Sequence, residues 1–180
     1  MKTLEIISAE KKLRKYLWIF IIGLFLSGLS AIPLLWGVDV LVESLDEIQA
    51  HGTIFSFVSE VRQALVYNDE HFPFMAYGTD WLAFAHFMFA LLFVGPLRDP
   101  FKNEWIIRFG MMACALLIPT ALLFGQIREI PMLWRFIDCS FGVIGYGVLW
   151  RISVLMKKIQ KLKDQNNDTT NIHSYEKPAA

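Results

Sequence analysis

Cysteine is scarce in this chain of 180 residues: there are two, Cys114 and Cys139, and they form no CxxC pair. Nothing supports a disulfide between them, and both fall in apolar stretches, where a thiol reads as a small buried side chain. Net charge is also absent, with 17 basic and 17 acidic residues. The net charge is therefore uninformative and the distribution of the charges is what counts; nucleic acid is not expected as a partner. No nucleotide-binding, P-loop, zincin or kinase pattern occurs. The absence that matters most is local. From Tyr16 to Trp36 there is no charged side chain at all, and a run of about 20 apolar residues is what crosses the hydrocarbon core of a bilayer.

What is present fits that reading. The chain is 55% hydrophobic and 14% aromatic, with a mean hydropathy of +0.43. Soluble domains use about 45–50% apolar residues. Four runs have spanning character, at about 16–36, 81–97, 105–125 and 133–155. The first outlasts the apolar core of a signal peptide, about 7–15 residues, so a retained helix is expected. Gly23, Ser27 and Ala31 are spaced as a helix-contact face, and Pro33 should kink the outer end. Pro119 should kink the third span. The fold class is thus all-α: an integral membrane four-helix bundle.

Between Val38 and Asp80 the acids are Asp39, Glu43, Asp46, Glu47, Glu60, Asp69, Glu70 and Asp80, against the single base Arg62. Val38, Leu41, Val42, Leu45 and Ile48 have helical spacing, as do Ile54, Phe57, Val58, Val61 and Leu65. This predicts two short amphipathic helices in the first outer loop, resting on the ends of the spans.

Lysine and arginine set the orientation. Lys2, Lys11, Lys12, Arg14 and Lys15 precede the first span. Arg98, Lys102 and Arg108 surround the second turn. Arg151, Lys157, Lys158, Lys161, Lys163 and Lys177 follow or close the fourth. Only Arg62, Arg128 and Arg135 fall on the opposite side. Residues 1–15 and a basic, then disordered tail at 157–180 are therefore expected in the cytoplasm, with the spans in a bacterial inner membrane.

Polar residues inside spans are costly and mark function or buried networks. The fourth span holds Arg135 and Asp138, and Asp138 shares one helix face with Gly142 and Gly145. The topology brings His86 to a similar depth, and Asp80 and Arg135 to a shallower one. These four, Asp80, His86, Arg135 and Asp138, are the expected lining of an outward-facing polar pocket, with Arg135 or His86 as the partner of Asp138. A metal would need further ligands; His51, His71 or Glu43 would have to bend in, and no spacing predicts this. No metal or other cofactor is expected.

The runs YGTDWLAFAHF (77–87), GPLRDP (95–100) and IPMLWRFIDCSFG (130–142) resemble an uncharacterised family of small four-helix bacterial membrane proteins, over roughly residues 72–147. The outline of four spans, cytoplasmic ends and a long first outer loop is also similar to that of the EXPERA proteins, which include sterol isomerases and lipid-binding receptors. That likeness is of architecture and carries no site residue across. The leading expectation is binding of a small ligand or lipid without catalysis, with the lipid bilayer as partner. One rival is an enzyme on a lipid-soluble substrate with His86 and Asp138 as proton carriers; which residues would be catalytic is left open. Another is a small proton-coupled transporter, which with four spans would need to dimerise, so a homo-oligomer is a further possible partner.

Overall fold

A computed structural model describes residues 2–49 and 52–175, with side chains over 4–49 and 52–166. The described residues are helical with short connections. The helices are α1 (Lys2–Ala31), α2 (Leu34–Glu47), α3 (Thr53–His71), α4 (Tyr77–Leu92), α5 (Val94–Arg98), α6 (Glu104–Ile127) and α7 (Met132–Tyr175). A 3-10 turn, Pro73–Ala76, leads into α4. Among the described residues, four helical stretches are long and apolar enough to cross a membrane: Leu4–Ala31, Pro73–Arg98, Glu104–Ile127 and Met132–Asn166.

The packing order follows from apolar stripes. On α1, Ala9, Leu13, Leu17 and Ile21 recur every fourth residue and are buried. On α7, Leu149, Ile152, Met156 and Ile159 alternate steps of three and four and are also buried. Both spacings put side chains on one face. With Ala90, Phe93, Ile106 and Ile107 they form one core cluster. All these residues belong to the end of the molecule that carries the first turns of α1 and the later turns of α7; we call it the terminal end. The basic segment 1–15 is therefore not separate from the first span. Residues 2–15 are the opening half of α1, held by Ala9 and Leu13.

At the opposite end, here the hairpin end, α1 packs on α4 and α6 on α7. The α1–α4 approach is close at Gly28, where a Cβ would come within 2.9 Å of Ala83 O and His86 Cβ. Gly23, expected in the contact face, has open space around it. The reason is phase: Gly28 continues the buried stripe through Leu24, whereas Gly23 lies off it. On the other pair, a Cβ at Gly142 would lie 2.7 Å from Cys114 O.

Both expected proline effects have a structural counterpart or limit. Pro33 stands between α1 and α2 and ends the first helix at Ala31. Pro119 lies inside α6, which continues to Ile127. Helix α7 runs on to Tyr175, past the point at which the sequence predicts loss of order; residues 176–180 are outside the described residues.

Candidate ligand site

The hairpin end is built by three local features. First, α2 and α3 pair. Val38, Leu41, Val42 and Leu45 of α2 are half-buried, and Val58 of α3 is fully buried. Arg62 Nε donates to Asp39 Oδ1 across the pair at 2.6 Å. The second feature is a contact between this pair and the start of α7: the rings of Phe57 and Trp134 lie 5.7 Å apart. The third is a groove of about 460 Å³ between the end of α2, the start of α3 and that same start of α7, lined by Leu45, Ile54, Phe55, Pro131, Met132 and Leu133 among others. Its size is within the range of small-ligand sites, about 300–1,000 Å³.

Next to this groove, the α6–α7 turn is locked from both sides. Ile130 N–H donates to Gly125 O at 2.9 Å and Glu129 N–H to Gln126 O at 3.3 Å. That is the paired bonding of a Schellman helix end, with Glu129 in the left-handed position at φ 57°. Arg135 then spans the turn. It is 7% exposed, its Nε donates to Ile130 O at 2.6 Å, and its Nη1 donates to Gln126 Oε1 at 2.6 Å. Gly125 leaves the room: a Cβ there would be 2.8 Å from Arg135 Cγ and Cδ.

Asp138 is one turn further along. Stepping back by three and four from Ile152 gives Leu149, Gly145, Gly142 and Asp138, so its carboxylate extends the buried face of α7. It is nonetheless half-exposed. Among the described residues no hydrogen bond or ion pair reaches it. The flank beside it is open as well. Phe141 is 64% exposed, whereas Ile152, eleven residues on and on nearly the same flank, is fully buried. Pro131 of the groove wall stands seven residues before Asp138 on that face, about 10 Å along the axis at 1.5 Å per residue.

His86 is half-buried against α1 at Gly28. Its Nδ1 lies 2.8 Å from Leu82 O. A carbonyl oxygen can only accept, so Nδ1 is the donor of this bond. Asp80 is exposed in the first turn of α4, where an acid favours the helix dipole.

Of the four residues expected to meet, none is joined to another by a hydrogen bond or ion pair among the described residues. Arg135 is occupied by Gln126 and Ile130, and His86 by its own helix. Sequence reasoning missed Gln126 and Trp134. A turn of a few residues between two spans was the available signal, because it leaves a buried cation in reach of the preceding helix end. His51 lies outside the described residues; among those described, no three His, Cys, Asp or Glu side chains cluster as a metal site would require. No family model, curated protein or solved structure matches the chain.

Proposed function

We propose that this is a four-span protein of the bacterial inner membrane, with both termini cytoplasmic, that binds a small amphiphilic ligand or lipid at its outer face without catalysis. One observation carries the reading: Asp138 extends the buried face of α7 and has no hydrogen-bond or ion-pair partner among the described residues. An ionised carboxylate at that depth is costly unless water or a ligand meets it. About 10 Å from it along the helix axis lies a groove of ligand size, lined largely by apolar side chains. Such a pairing suits a molecule with an apolar body and a cationic or hydrogen-bond-donating head. The α2–α3 pair, an amphipathic unit of the first outer loop, would be its cover.

Membrane residence has its own support. Trp18, Phe25, Leu116, Phe141 and Ile144 each expose roughly half or more of their surface. Apolar side chains exposed in such number call for an apolar solvent. The charge asymmetry of lysine and arginine favours cytoplasmic termini.

The test is a stability titration of the purified full chain with dodecylammonium, dodecanol and dodecyl sulfate below their micellar concentrations. Dodecylammonium should raise the unfolding temperature of the wild type and lose most of that effect on Asp138→Asn. Equal effects on both proteins, or a preference for the sulfate, would overturn the reading.

A further inference from the structure

The terminal end holds a second groove, unrelated to Asp138. It has a volume of about 140 Å³ and is lined by Glu10, Leu13, Arg14, Arg98, Asp99, Pro100, Phe101, Ile159 and Lys163. Its floor is Leu13 and Ile159, which belong to the core. Its charges sort into two groups. Glu10 is neutralised by Lys163, whose Nζ lies 3.1 Å from its carboxylate, and that ammonium also sits 5.2 Å over the Phe101 ring. Asp99 has Lys102 at 3.7 Å. Arg14 and Arg98 remain, both exposed, and among the described residues neither has a hydrogen-bond or ion-pair partner.

Their level along the helices is specific. Arg14 lies two residues before the charge-free run that starts at Tyr16, and Arg98 directly follows the run that ends at Leu97. Trp18 is one turn beyond Arg14 and 52% exposed, and Trp105 is 61% exposed. Tryptophans of this kind sit at the headgroup level of a bilayer. Two free guanidiniums at that level, from adjacent helices and above an apolar floor, match a lipid phosphate with its acyl chains running down beside the helices. Guanidinium is the side chain best suited to phosphate, since its fork can donate two bonds at once. The groove is too small for a whole ligand of ordinary size, about 300–1,000 Å³, and large enough for a headgroup.

We propose that Arg14 and Arg98 form a binding site for the phosphate headgroup of an anionic phospholipid in the leaflet at the terminal end. The site is a basic pocket between spanning helices, a geometry that holds anionic lipid headgroups. Lys163 and Lys102 contribute by cancelling the two acids that would otherwise repel the phosphate.

Native mass spectrometry of the delipidated full chain in neutral detergent tests this. Titration with phosphatidylglycerol should give a one-to-one adduct that resists activation, and phosphatidylcholine should not. Arg14→Gln with Arg98→Gln should weaken the adduct by roughly thirtyfold, about fivefold per arginine. Arg128→Gln, at the other end, should leave it unchanged. Both arginines are exposed, so the variants should keep the wild-type unfolding temperature; Arg14→Lys with Arg98→Lys should restore part of the affinity if charge, and not packing, is the cause. Equal phosphatidylglycerol binding by the wild type and the Gln variant would overturn the site. So would competition by millimolar inorganic phosphate, which would assign the arginines to a free anion instead of a lipid.

Discussion

Arg135 donates through Nη1 to Gln126 Oε1 at 2.6 Å, and so ties the start of α7 to the end of α6. The same guanidinium takes the Ile130 carbonyl through Nε. Hydrogen bonds from charged groups contribute about 1.5–3 kcal/mol each. Arg135→Ala removes both and leaves a void against Gly125. The expected loss is roughly 3 kcal/mol, read by unfolding of the purified chain in mixed micelles. Arg135→Lys, with a single charged head, should recover only part. Gln126→Ala should cost about 1.5 kcal/mol, half the loss of Arg135→Ala, because the Ile130 bond survives. A silent Arg135→Ala would mean that the turn is held by its backbone bonds alone.

Glu129 occupies the left-handed position of that turn at φ 57°. A side chain in that region costs on the order of 1 kcal/mol relative to glycine. Glu129→Gly should therefore stabilise the protein, by up to about 1 kcal/mol and with no change in the ligand response. Destabilisation would indicate that the carboxylate makes a contact of its own.

Gly28 and Gly23 give a paired test on one helix. A Cβ at Gly28 meets Ala83 O and His86 Cβ at 2.9 Å, and one at Gly23 meets nothing within 4 Å. Gly28→Leu should force α1 and α4 apart and cost roughly 1–3 kcal/mol. Gly23→Leu should stay within about 0.5 kcal/mol. Similar effects at the two positions would count against the α1–α4 packing.

The residues that were legible and those that were not differ for one physical reason. Composition and period locate helices: among the described residues, four stretches are long and apolar enough to cross a membrane, although the charge-free run at 16–36 passes the end of α1 at Ala31 and enters α2 at Leu34. Register between helices is another matter. The small residues Gly23, Ser27 and Ala31 have contact spacing, but spacing does not say which face is turned inward; the buried stripe Ala9, Leu13, Leu17 and Ile21 does. The polar residues show the same limit. Depth along the spans places His86 near Asp138, yet depth does not choose partners. Arg135 had a closer acceptor in Gln126 and a backbone carbonyl at Ile130, both delivered by a short turn. His86 had its own Leu82 carbonyl, one turn back. Local acceptors are found first because they require no further ordering of chain.

Asp138 is what this competition leaves over, and its variants separate two roles. If its carboxylate were half of a buried ion pair, removing it would strand the partner and cost roughly 3–5 kcal/mol. Here Arg135 is satisfied elsewhere, so Asp138→Asn strands nothing. An acidic group at the centre of a spanning helix is unfavourable by about 2.5–3.5 kcal/mol, and less toward the end. Asp138 lies six residues from Met132, about 9 Å along the axis. Asp138→Asn and Asp138→Leu should therefore leave stability unchanged or raise it, by on the order of 1 kcal/mol, while dodecylammonium loses its stabilising effect. A residue that lowers stability yet sustains binding is what a site, and not a scaffold, would keep. Unfolding in mixed micelles reads the first half and the titration the second. A loss of more than about 1 kcal/mol for Asp138→Asn would return Asp138 to a structural network.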